Sequence, residues 1–133
     1  MGIREFEKKV PNIAQDVYVD QDAVVIGDVM LSTKSSVWPL AVIRGDVNAI
    51  SIGQQTNVQD GAIVHVTHDG PFSPGGHSTC IGDNVTIGHQ AIVHACTIAG
   101  SALIGMGARI LDAAVIEENV VLAAGSLVSP GKV

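Results

Sequence analysis

Along most of the chain an aliphatic residue returns at every sixth position. The series runs Val19, Val25, Leu31, Val37, Ile43, then Ile52, Val58, Val64, then Ile81, Ile87, Val93, Ile98, Ile104, Ile110, Ile116, Leu122 and Val128. Four places after each stands a small or β-branched residue, Val47 and Thr97 among them, with only His68 and Lys132 breaking the rule. A helix would need apolar spacing near 3.6, and a long alternating strand would not reset every six residues. The spacing predicts a prism of short parallel strands. Each hexad forms one flat side, its aliphatic residue filling the interior and its small residue permitting the bend. Pairs such as Asp83-Asn84, Met106-Gly107 and Glu118-Asn119 supply the corners. Three sides of six residues make one coil of 18. A β-sandwich would space its turn signals more loosely, at about 8 to 12 residues.

Three interruptions break this register: three extra residues around Ala49 to Ser51, an excursion from Val66 to Cys80, and a five-residue step from Val93 to Ile98. The excursion is rich in Gly and Pro and reads as a loop, at about 66–80, extruded from one corner. Counting sides through the breaks puts Ile43, Val64 and Val93 on one side of three consecutive coils. Arg44, His65 and His94, the residues that follow them, then form a column with neighbours about 4.8 Å apart. On the preceding side Val58 and Ile87 are equivalent, so Asp60 stacks near His89 with Gln59 beside them.

Composition narrows the setting. A hydrophobic content of 47 % over 133 residues supports one folded domain, 1–133. Aromatics at 3 % fit a core too narrow for large rings. A net charge of -6 offers no cationic surface, so neither nucleic acid nor a membrane is expected as a partner. The start lacks an apolar signal region, Phe6 stands where a myristoylation signal needs Ser or Thr, and the expected location is cytoplasmic. Cys80 and Cys96 read as two reduced thiols.

Three imidazoles with an open fourth position are the arrangement in which zinc activates water. His65 and His94 can share one ion from adjacent coils. His89 cannot join them from the same chain, because roughly 10 to 16 Å of near-extended backbone separates it from His94. Association about a threefold axis would bring it from a neighbour, closing three identical sites per homotrimer. Fe2+ or Co2+ would suit three imidazoles as well as Zn2+ does. The plainer reading, histidines that satisfy local hydrogen bonds, is preferred for His68 and His77 in the loop.

The hexad pattern over residues 19–128 resembles the left-handed β-helix family, and the left hand is taken from that resemblance, since crossovers between parallel strands ordinarily take the opposite one. The expected fold class is therefore all-β, a single-stranded left-handed parallel β-helix. The stretch WPLAVIRGDVNAISIGQQTNVQDGAIVHVTHD followed by IGHQAIVHACTI is similar to the γ-class carbonic anhydrases, and more closely to their compact bacterial branch. That resemblance implies zinc ligation by His65, His89 and His94, and hydration of CO2 to bicarbonate by zinc-activated water. It further implies an intersubunit pair between Arg44 and Asp46, with Gln59 and Asp60 beside the metal and Asn57 as a second amide nearby. Asp60 would hold Arg44 or a ligand histidine. Val47 stands where archetypal members carry a Glu, and their acidic proton-shuttling loop is replaced by a short one in which His68 is the nearest titratable group. The implied turnover is accordingly weak. The C-terminal helix of relatives is expected to be absent, because the register is still running at Val128. Two other functions share the fold: a non-catalytic, metal-stabilised trimeric scaffold or small-ligand binder, and a hexapeptide acyltransferase.

Overall fold

The aliphatic hexads fold as strands of two or three residues, one to each side of a three-sided coil. The computed structural model describes residues 2–133. One side stacks six parallel strands in coil order: Tyr18–Val19, Ser36–Val37, Asn57–Val58, Thr86–Ile87, Leu103–Ile104 and Val121–Leu122. The next side carries Gly2–Arg4, residues 24–26 and 42–44, Ile63–His65, Ile92–His94, Arg109–Ile110 and Leu127–Val128. The third carries Asn12–Ile13, residues 29–31 and 50–52, Thr79–Ile81, Thr97–Ile98 and Val115–Ile116. Two long strands, Val24–Leu31 and Val42–Ile52, run round a corner without a break, so the second and third sides form one sheet of eleven strands. Every strand pairing is parallel, and the chain is a left-handed parallel β-helix. No helix occurs among the described residues, so none is long and apolar enough to cross a membrane.

Burial follows the repeat. From Val25 to Ile116 every aliphatic hexad position is buried, and the outermost, Val19, Leu122 and Val128, pack partly buried against that core. The four aromatics, Phe6, Tyr18, Trp38 and Phe72, all lie exposed, as a prism this narrow requires. Regular corners take two residues, and from Lys34 onward the second has a left-handed φ of 54° to 73°. Asn84, Gly107 and Asn119 tolerate this conformation, whereas Leu40 and Ala113 are held in it by the ladders on either side, against roughly 1–2 kcal/mol each.

The interruptions correct the sequence register in three places. The small buried residue belongs to the strand that follows it, two places before the next aliphatic, rather than four places after the last. The two descriptions coincide in unbroken hexads and part at the breaks. Val47 and Thr97 are exposed, and their interior places are taken by Ile50 and Cys96. The three extra residues sit earlier than Ala49 to Ser51: Gly27 pairs with Gly45 and Val29 with Ile50, so the bulge lies between Gly45 and Ile50. The extruded loop is shorter than 66–80, since Val66 is buried and Thr79 and Cys80 already belong to the strand Thr79–Ile81.

Candidate metal centre

His65 and His94 close the strands Ile63–His65 and Ile92–His94, which pair in register, His94 with His65. Val64 and Val93 point inwards, so strand alternation turns both imidazoles outwards, one above the other. His65 Nδ1 lies 3.2 Å from His94 Nε2. Each ring is held from behind by a carboxylate. Asp46, on the bulge, places Oδ1 2.9 Å from His65 Nε2, while its Oδ2 pairs with Arg44 Nη1 of the same chain. Asp112, at a corner of the following coil, places Oδ1 2.7 Å from His94 Nδ1, and its Oδ2 accepts the hydroxyl of Thr67.

Ionised carboxylates only accept hydrogen bonds, so His65 Nε2 and His94 Nδ1 must carry the protons. In the neutral rings the two nitrogens facing each other are then both lone pairs. Among the described residues no other group donates a hydrogen bond to either nitrogen, and a cation there would relieve the repulsion. The spacing suits a metal: two nitrogens on a tetrahedral ion at about 2.0–2.1 Å stand about 3.3–3.4 Å apart. Both carboxyls are held below their ordinary pKa. For Asp46, burial pushes upwards but is outweighed by the hydrogen bond from His65 and by the nearby charge of Arg44, joined by that of His65 when its ring is protonated. For Asp112, burial is outweighed by hydrogen bonds from Thr67 and His94, with the charges of His94 and His77 adding to them when those rings are protonated.

His89 stands elsewhere, at the corner after Thr86–Ile87, with Nδ1 3.1 Å from Asp60 Oδ1 and its side chain 50 % exposed. Gly88 fixes the approach to that corner, because a Cβ on it would meet Ile104 O at 2.7 Å. Gln59, Asn57, Ser36 and Trp38 line a shallow groove with this pair, and Asn57 Nδ2 donates to Thr86 Oγ1 at 3.2 Å. Among the described residues, no three His, Cys, Asp or Glu side chains of one chain are placed to hold a metal. The histidines thus divide into a facing pair and a single one.

No family model matches the sequence. Protein YrdA of Escherichia coli is 46 % identical over 110 residues, covering 83 % of this chain and 60 % of that protein. Gamma carbonic anhydrase 2, mitochondrial, of Arabidopsis thaliana is 49 % identical over 123 residues, covering 90 % of this chain and 43 % of that one. A solved structure, a hexapeptide transferase family protein from Anaplasma phagocytophilum, superposes with a TM-score of 0.89 at 39 % identity, over 98 % of this chain and 72 % of its own. The chain belongs to the γ-class carbonic anhydrase family. It spans about 60 % or less of the length of these two sequence relatives.

In this γ-class chain two side chains that sequence reasoning passed over are part of the construction, Asp112 and Thr79. Asp112 is 18 residues after His94, a full regular coil, and that spacing was the available signal. The five-residue step obscures it by putting Val93 opposite Ile110, one residue out of phase. Thr79 is buried in the corner between the coils, its Oγ1 donating to His65 O at 2.5 Å and accepting from Ala95 N at 2.9 Å. His68 is exposed. It lines a groove with His77, Phe72, Asp112, Pro130 and Gly131 between the loop and the last coil, rather than joining the histidine pair.

Proposed function

We propose that the protein is a metal-dependent γ-class carbonic anhydrase that hydrates CO2 to bicarbonate, with Zn2+ as the resident ion and Fe2+ or Co2+ as substitutes. The observation that carries this reading is His65 Nδ1 facing His94 Nε2 at 3.2 Å on the outer surface, each ring held from behind by a carboxylate. His89, half exposed and remote from that pair in its own chain, supplies the third ligand to a neighbour in a homotrimer. When bound, zinc lowers the pKa of a water towards neutrality and so provides the nucleophile for CO2. Gln59 presents a side-chain amide to orient that water, while Asn57, tied to Thr86, holds the wall of the groove. Asp60 orients His89, and Arg44 orients Asp46. His68 is the exposed imidazole through which the released proton reaches solvent.

The test is metal content and turnover measured together. Purified protein should hold about one zinc or cobalt per chain and accelerate CO2 hydration in stopped flow, and His94→Ala should lose both. A trimer unable to take up either metal would sink the proposal.

Two other readings have a specific observation behind them. The Anaplasma structure bears a hexapeptide transferase description, and His94 with Asp112 is a base–carboxylate pair that could serve acyl transfer. Saturable coenzyme A binding would favour it. The exposed Val47 beside Asp46 instead suits a scaffold that keeps metal for assembly alone. Retained metal and trimer with no CO2 hydration would favour that one.

A further inference from the structure

His94 is the only member of the facing pair whose supporting carboxylate comes from the coil that follows it, and that carboxylate is tied to the extruded loop. The corner after His94 is one residue short. Ala95, at φ 51°, aligns with Ala113 through the Ala113 N–H to Ala95 O bond of 2.8 Å. No corner residue of the His94 coil therefore stands opposite Asp112, and the carboxylate reaches across the gap to Nδ1. Its other oxygen is taken by Thr67, the first residue of the loop, whose backbone pairs with His77 and whose carbonyl accepts from Asn48 Nδ2 at 3.3 Å.

We propose that Asp112 and Thr67 are positioning residues that set the tautomer of His94, holding the proton on Nδ1 so that Nε2 is presented as a lone pair. Left to itself in water, a histidine ring favours the opposite tautomer, with its proton on Nε2. That form would place a proton where the ligand lone pair is needed. Thr67 keeps Asp112 from turning to solvent, so the loop contributes to the site through its root although its tip does not reach it. The consequence for metal affinity rests on the reading given above; the tautomer itself does not.

The experiment has two arms. Imidazole 15N shifts of the metal-free protein at pH 8, with the His94 signals assigned by their loss in His94→Ala, should show the Nδ1–H form in the wild type and the Nε2–H form in Asp112→Ala. Cobalt affinity, by competition with a chelator, should fall about 10- to 100-fold in Asp112→Ala. It should fall about three- to tenfold in Thr67→Val, which removes one hydrogen bond. Wild-type tautomer and affinity in Asp112→Ala would overturn the proposal. Should that variant fail to fold, Asp112→Leu keeps a similar bulk with no acceptor for the His94 Nδ1–H, and unchanged cobalt affinity in it is equally fatal. If the wild type takes up no cobalt at all, the metal reading fails, and an Nε2–H His94 in the wild type would separately overturn this one.

Discussion

His65 and His94 are 29 residues apart in sequence and in register on neighbouring coils, with Nδ1 of one 3.2 Å from Nε2 of the other. Both rings project from the outer surface, so they add little to the core. Replacing either with Ala should abolish metal uptake while costing the metal-free protein no more than the lost bond to its carboxylate, about 1.5–3 kcal/mol. Atomic absorption and denaturant titration check the two halves of that expectation. A larger loss of stability would mean that the pair is structural.

A ligand set divided between chains has an arithmetic signature. In a trimer containing both His89→Ala and His94→Ala subunits, one interface of the three joins an intact His65/His94 pair to an intact His89. Each homogeneous variant should bind no metal, and isolated mixed trimers should bind about one ion. Mixed trimers without metal would place the third ligand elsewhere.

Thr79 stands at 0 % exposure with its hydroxyl shared between the His65 carbonyl and the Ala95 amide. Thr79→Val keeps the shape and removes the two hydroxyl bonds, leaving the Ala95 N–H and the His65 carbonyl only their direct bond of 3.1 Å, which costs about 0.5–1.5 kcal/mol. The denaturation midpoint should fall accordingly, with an unchanged slope. A neutral substitution would show that the direct Ala95–His65 bond alone satisfies both groups.

Asp46 and Asp112 both titrate below the ordinary carboxylate range in the folded protein. A depressed folded pKa favours the native state wherever the group is ionised. The contribution is fully present above the unfolded value of about 3.9 and is lost as pH falls through the folded pKa. The melting temperature of metal-free protein should therefore decline below about pH 4, and less steeply in an Asp46→Asn, Asp112→Asn double variant. Superimposable acid limbs for the two proteins would refute the assignment.

The prism was legible because its interior is one residue wide. Each side has a single place for an aliphatic side chain, so the period appears directly in the order of residues. The column of His65 and His94 was legible for the same reason. Val47 and Thr97 were misplaced because the repeat is anchored on the strand to come, a fact visible only where hexads are interrupted. Asp112 was missed because its partnership depends on a deletion, and a deletion leaves no residue to read. Arg44 and Asp46, which the family resemblance implied as a pair between subunits, are paired here within one chain.

The shortened corner at Ala95 also sets a limit on engineering. Redesign toward a consensus repeat would insert the missing residue, straighten the bulge that carries Asp46 and trim the loop that begins at Thr67. Such a protein should be easier to fold and harder to melt. It would also lose the supports of its histidine pair, because the bulge carries Asp46, the loop root carries Thr67 and the short corner lets Asp112 reach His94.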